Sequence, residues 1–497
     1  MRPWSIPELP FAPVTLSVCF RSGFTQPTEP SMPAVKFSVV IPTRERADTL
    51  RYALQTCLDQ DFDDYEIIVA DNDSSPPTRA LVEEAASSRV RYFRTDRTLA
   101  MSSNWDFAVS HARGEYVILI GDDDGLLPHS LRELDKLTCD HHPKAVRWEP
   151  AYYTWPSFAL AGQGDYLRIP LSRGLREVKS RDAIRDVIGF RSLYTMLPML
   201  YNAAVHHTVL AELRAKTGRV FPHPVPDVYS GFAVAAVTES FLSTDTPMSL
   251  AGQSGASNGV AVLFNRGRSR IDEEFHALNA KEGLLPDPRI PNLPVFPHVP
   301  VADAFVFAKR KLFPDSDLDL DRRQFVSGCL ANLRVGTDAD WRDALGMIRT
   351  SLADDRETLA WFDCELATTP FRPPLPPRLK PERLGFDGEA LHLDAAAFGV
   401  RDVAGAAALC ERVLSYRRDG VRHVTGDAGP SLALAAKVQE LNDLCTDRQS
   451  VIDGLTRSCS DRLAKIHELD GRLRQSLRGG PLKRLGRWFK QRMSVGH

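Results

Sequence analysis

The triplet Asp122-Asp123-Asp124 is the clearest candidate for chemistry in the chain. It follows the apolar run 116–120, and three neighbouring carboxylates repel one another unless a hard cation shares them. Mg²⁺ or Mn²⁺ held by one or two carboxylates usually completes its shell with water and substrate phosphates, so the triplet points to a phosphate-bearing substrate. An acidic turn is the competing reading, because Asp and Gly make turns often. A second carboxylate, Asp227, follows the proline-constrained stretch Pro222, Pro224, Pro226 and opens an apolar helix. It is the candidate base for deprotonating a hydroxyl, against the alternative that it only caps that helix.

Elements must bring these residues together, and the sequence provides them in alternation. Apolar, β-branched runs at 37–41, 66–70, 90–93 and 116–120 are separated by helical spacing at 48–58, about 78–87 and 104–111. This β-α-β-α-β-α-β order predicts an α/β fold with a mostly parallel sheet flanked by helices. Ligands of such sheets bind beyond the carboxyl ends of the strands. That rule gathers Thr43-Arg44-Glu45, Asp71-Asn72-Asp73, Asp96-Arg97 and Asp122-Asp123-Asp124 in one region. Ser103 and Asp106 have the spacing of a capping box, a structural role. From 140 to 265 the pattern weakens to a helix at about 181–189, a strand at 197–201 and a helix around 228–240. His223 is placed to touch an acceptor, whereas His206 and His207 sit in an apolar segment and read as packed. The small-residue stretch from Ser254 to Gly259 reads as a surface turn, or as a loop closing over a diphosphate.

Neither G-x-G-x-x-G nor G-x-x-x-x-G-K-[ST] follows the first strand, since Ile41 to Arg46 contains no glycine. A nucleotide-binding layout without a glycine cradle leaves phosphate charge to a metal. The runs FSVVIPTR (37–44), YEIIVADNDS (65–74) and GEYVILIGDDDGLLP (114–128) together resemble the family 2 glycosyltransferases of the GT-A fold. The resemblance is specific over about 37–140 and extends weakly to about 260 through Pro226-Asp227 and the 252–259 segment. It implies that Thr43 and Asp71, with Glu45 nearby, line the base pocket of a nucleotide sugar, a UDP-sugar being favoured. Asp122, Asp123 and Asp124 would then bind ribose, diphosphate and a divalent metal (Mn²⁺ or Mg²⁺), with Asp124 and Asp122 as metal ligands. Gly121 departs from the family's Asp-x-Asp-Asp pattern. With Asp227 as base, the implied reaction is an inverting transfer of a sugar to a hydroxyl acceptor, in surface polysaccharide or glycoconjugate synthesis. The rival hypothesis is a silent GT-A domain serving as a coiled-coil scaffold.

The chain has 497 residues, 43% hydrophobic and 25% charged, with a net charge of −2, which excludes a disordered chain and gives no basic excess for nucleic acid. Eight scattered cysteines without C-x-x-C read as reduced thiols in a cytoplasmic protein. Residues 1–35, rich in proline, read as a disordered leader; 36–265 as the GT-A domain; 266–425 as a mainly helical accessory domain. Leu434 to Leu473 carry apolar positions spaced alternately 4 and 3, so 432–476 reads as a coiled coil that makes a homodimer. The tail 477–497 places Leu482, Leu485, Phe489 and Met493 on one face among basic residues. It fits a membrane interface at the inner face of the plasma membrane, and with it a lipid-linked acceptor.

Overall fold

The computed structural model describes residues 34–160, 162–256, 270–373 and 379–419. The expected leader up to residue 33, the coiled coil and the basic tail lie outside the described residues.

β1 (Val35–Thr43), α1 (Ala47–Leu58), β2 (Tyr65–Asp71), α2 (Pro76–Glu84), β3 (Val90–Arg94), α3 (Met101–Ser110) and β4 (Gly114–Leu119) follow the expected alternation. Phe37 to Thr43 and all of β2 are buried, as β-branched residues covered on both sheet faces should be. β2, β1 and β4 run parallel, with Thr43 in register with Asp71, so the chemistry-bearing ends of both strands meet. At the opposite end Ser38 donates to Glu66 (2.7 Å), which also accepts from Arg91 (2.6 Å), a buried polar pin through three strands.

After β4 come β5 (Gly125–Leu126), α4 (Ser130–His141), β6 (Ala145–Trp148), β7 (Ala151–Thr154), β8 (Tyr166–Pro170), β9 (Leu175–Lys179) and α5 (Ser180–Ile188). β10 (Ala203–His206), α6 (His207–Thr217), α7 (Pro226–Val237), β11 (Ser240–Thr244) and β12 (Ser249–Gln253) complete this half. An eight-stranded mixed sheet has the order β3-β2-β1-β4-β10-β6-β11-β9. One face packs on α3, α5, α6 and α7, the other on α1, α2 and α4. The flanked mixed sheet is GT-A-like, as the motifs led us to expect.

The expected strand at 197–201 is not one. Pro198 removes a donor there, and a 3-10 turn at Tyr194–Met196 leads into an irregular bridge before β10. The bridge still laces into the sheet, because Leu119 N–H donates to Leu200 and Trp148 N–H to Asn202.

The segment 266–425, expected as a mainly helical accessory domain, is helical in its first part and adds strands in its last. α8 (Arg270–Lys281), α9 (His298–Leu312), α10 (Arg322–Asn332), α11 (Asp338–Ser351) and α12 (Arg356–Glu365) are helical, the last three around Phe325, Trp341 and Phe362. Beyond them β13 (Gly385–Phe386) and β14 (Ala390–Asp394) extend a second sheet of order β13-β14-β8-β7-β12-β5. α13 (Val403–Asp419) packs Val403, Ala407, Cys410 and Leu414 on that sheet. Val403 and Leu414 each contribute about 1.5–3 kcal/mol by such burial. Residues 385–419 therefore join the N-terminal half, not the helices that precede them.

Candidate active site

Asp122, Asp123 and Asp124 follow β4 and are buried, at 2–3% exposure. Three carboxylates are tolerated at that depth only because each is held differently. Asp122 accepts from Thr43 Oγ1 (2.7 Å) and Arg46 Nη1 (2.9 Å). Asp123 accepts from Ser254 Oγ (2.7 Å) through Oδ2, while Arg46 stands 4.0 Å from Oδ1. Asp124 accepts backbone N–H bonds from Gly252 through Oδ1 and from Gly121 through Oδ2, both 2.7 Å. Gly252 has no alternative, since a Cβ there would lie 1.7 Å from the Asp123 carbonyl oxygen. Trp155 Nε1 donates to that same carbonyl (2.9 Å), so β12 and the end of β7 clamp the acidic turn.

Electrostatics follow from this arrangement. Burial, then Asp123, pushes the Asp124 carboxyl up to about 7, although the Tyr201 phenol and the two amides favour its charge. Burial also raises Asp122, against the pull of Arg46. Burial works against the Arg46 charge, but Asp122 and Asp123 outweigh it and hold the guanidinium above its ordinary value. One cation thus answers three acids, and the excess negative charge lies toward Asp123 and Asp124.

The donor set fits a partial cation site. Among the described residues no group of three His, Cys, Asp or Glu is placed to hold a metal unaided. Mg²⁺ and Mn²⁺ need only one or two carboxylates when phosphates supply other ligands, and Asp123 with Asp124 offers that. Asp122 was expected as a ligand beside Asp124; it accepts from the Arg46 cation, which competes for that carboxylate, whereas the hydrogen bonds that Asp124 accepts from Gly252 and Gly121 come from neutral amides.

The other expected residues divide. Thr43 and Asp71 lie side by side at the strand ends, but Asp71 accepts from Ser74 N–H (2.8 Å) and the Tyr92 hydroxyl. Glu45, with φ of 55°, turns its carboxylate onto Ser75 N–H (2.9 Å) and Oγ (2.6 Å), tying the turn after β1 to the start of α2. Asp227 sits in the first turn of α7 after Pro226, and Val225 takes the capping position. Its Oδ1 is buried without a hydrogen-bond partner, and burial raises its pKa. His223 is fully buried with Nε2 3.0 Å from Asp303, so it is a packing residue of α7 and α9. Ser103 and Asp106 lie inside α3, which starts at Met101, and both bond Arg219 instead of capping the helix. Of the 254–259 segment, Ser254 and Ala256 reach the acidic turn, Ala256 through its carbonyl to Arg46. Residues 257–259 lie outside the described residues.

Sequence reading missed Arg46 and Tyr201. Arg46 stands three residues after Thr43, a visible positive charge opposite an acidic run. Tyr201 was hidden by reading 197–201 as a strand. Its phenol is pushed well above its ordinary pKa by burial, then by Asp124, Asp123 and, further down, Asp227.

Residues 38–194 match the family model described as glycosyl transferase family 2. Over 102 residues the chain is 35% identical to GalNAc(5)-diNAcBac-PP-undecaprenol beta-1,3-glucosyltransferase of Campylobacter jejuni, covering 20% of this chain and 33% of that protein. Over 87 residues it is 25% identical to UDP-Glc:alpha-D-GlcNAc-diphosphoundecaprenol beta-1,3-glucosyltransferase WfgD of Escherichia coli, covering 18% and 34%. The chain spans about a third of the length of these curated relatives. Among solved structures, Staphylococcus aureus TarS 1–349 in complex with UDP-GlcNAc aligns at 13% identity and a TM-score of 0.43, covering 80% of this chain and 95% of that one. That likeness is too loose to argue from.

Proposed function

We propose that this chain, which carries a family 2 glycosyl transferase domain over residues 38–194, moves a sugar from a nucleotide-diphosphate sugar to a hydroxyl acceptor with inversion. The observation that carries the reading is a pair of buried carboxylate sites: the acidic turn Asp122–Asp124 at the end of β4, and Asp227 at the start of α7 with its Oδ1 buried and without a donor. Donor and acceptor ends of an in-line displacement need such groups on opposite sides of one reacting carbon. The scaffold alternative has nothing in its favour here, since a silent domain has no need of three buried carboxylates.

Thr43 and Asp71 mark the base pocket at the ends of β1 and β2, with Glu45 fixing the turn that borders it. Asp122 would face the ribose, oriented by Thr43 and Arg46. Arg46 supplies a fixed positive charge beside the diphosphate. Asp123 and Asp124 would hold Mn²⁺ or Mg²⁺, which when bound supplies Lewis-acid stabilisation of the leaving diphosphate. Asp227 takes the proton of the acceptor hydroxyl, and its raised pKa makes it a stronger base than an ordinary Asp. The two relatives are named for saccharides linked to undecaprenol diphosphate, so we extend to this chain a lipid-linked saccharide acceptor. Among the described residues no helix is long and apolar enough to cross a membrane. Peripheral attachment to the inner membrane face through 477–497, and dimerisation through 432–476, remain part of this proposal.

The test is thermal melting with UDP and Mn²⁺, followed by donor hydrolysis over a set of nucleotide sugars. A rise in melting temperature that needs both components is expected. Asp124→Ala should remove that rise and the transfer while the metal-free protein stays folded. Activity retained in Asp124→Ala would overturn the assignment.

A further inference from the structure

Gly121 and Tyr201 are eighty residues apart in sequence, yet they share one small volume. A Cβ built on Gly121 would lie 2.9 Å from Tyr201 Oη, 2.9 Å from Asp124 Oδ2 and 3.2 Å from Asp123 Oδ1. Those distances are below ordinary contact, so a side chain at 121 and the Tyr201 hydroxyl exclude each other. The Tyr201 ring is fixed, stacked on Trp105 at 6.1 Å with an interplanar angle of 3°. Its backbone neighbours Leu200 and Asn202 accept from Leu119 and Trp148 N–H, so the ring hangs from the sheet itself. Asp124 Oδ2, which stands 2.9 Å from the same Cβ position, already accepts from Gly121 N–H at 2.7 Å.

We propose that Tyr201 is a positioning residue of the donor site: its hydroxyl fills the space that the absent side chain of Gly121 leaves and fixes the Asp124 carboxylate toward the cation and diphosphate. The inference rests on the donor-binding reading above. Glycine at 121 and tyrosine at 201 then form one unit, in which the polar group facing Asp124 comes from the bridge before β10 instead of from the end of β4. The phenol acts through Asp124, so it contributes to donor affinity and not to the proton transfer at Asp227.

Gly121→Ala, Tyr201→Phe and the double variant form a cycle read in two ways. The first reading is the melting temperature of the metal-free proteins: Gly121→Ala is lowered, and Tyr201→Phe added to it restores part of the loss, because the hydroxyl that meets the new methyl is gone. The second is Mn²⁺-dependent UDP affinity by calorimetry. Tyr201→Phe is expected to weaken it by about 3- to 10-fold, the worth of one ordinary hydrogen bond, and to raise the donor KM with kcat nearly unchanged. Strict additivity of the melting temperatures, or unchanged UDP affinity in Tyr201→Phe, overturns the proposal. A wild-type protein that binds no UDP with Mn²⁺ overturns instead the donor-binding reading and removes this inference with it. If Tyr201→Phe fails to fold, the near-ultraviolet tyrosine difference signal on adding Mn²⁺ to Trp105→Phe and wild type decides. A signal present in wild type and displaced in Trp105→Phe supports the proposal, and no signal in wild type overturns it.

Discussion

A buried carboxylate oxygen with no donor, such as Asp227 Oδ1, is held at a cost of about 1–3 kcal/mol or more. It is the kind of strain an acceptor hydroxyl relieves. Asp227→Asn should lower transfer by about 10²- to 10⁴-fold while leaving UDP-dependent stabilisation intact, as measured by initial rates and melting. Because burial raises its pKa, the ionised base is lost at a higher pH than for an ordinary Asp, so the acid limb of the rate profile lies above that range. Asp124 makes a second pH statement. Its folded pKa is raised from 3.8 to about 7, so between those values the folded state binds more protons than the unfolded one. Metal-free stability should therefore fall as pH rises from 4 to 7, more steeply in wild type than in Asp124→Ala, and Mn²⁺ should flatten the slope. The carboxylates were legible in the sequence because charge beside an apolar run is a local signal. Arg46 was not, because its role exists only once β1 pairs with β4, and Tyr201 was not, because the 194–202 bridge must first meet β4.

At the scale of elements, the repeating segment from β1 to β4 was readable because each strand and helix carries its own periodicity. α2 even starts with Pro76 after Ser75, where a missing N–H costs nothing. The 197–201 segment misled because its apolar residues point into the core from irregular backbone. β12 matters through a glycine: Gly252→Ala must push the acidic turn away by more than an ångström, since the obstacle is backbone. Loss of both UDP-dependent stabilisation and several degrees of melting temperature is expected, whereas Gly346→Ala, on an open stretch of α11, should leave UDP-dependent stabilisation intact and raise the melting temperature, alanine suiting a helix interior better by about 0.5–1 kcal/mol. α13 packs against β5, the short strand that follows the acidic turn. Glu411 pairs with the buried His129, whose Nε2 lies 3.1 Å from the Pro247 carbonyl, five residues after Asp124. Glu411→Ala leaves that imidazole without its partner and should cost about 1–3 kcal/mol in chemical unfolding.

For the molecule as a whole, the near-neutral charge hides opposed parts. Residues 472–492 contain eight Arg or Lys and no acid, so the remainder is net acidic. Deleting 481–497 should abolish binding to vesicles rich in anionic lipid, measured by flotation, and unchanged binding would reject a membrane-facing tail. The placement of residues 385–419 could not be read from sequence, since β14 pairs with β8 more than two hundred residues earlier and such pairing leaves no local trace. That pairing governs how the protein is made. Domains emerging from a ribosome usually fold from the N-terminus onward, but here the β8 edge and the outer face of α1 stay bare until α13 has been synthesised. A fragment ending at 265, where the motif resemblance stops, would retain every proposed site residue and still expose that edge to other chains. The nascent chain therefore carries an open sheet edge over a long stretch of translation, until β14 pairs with β8 and α13 packs on the second sheet.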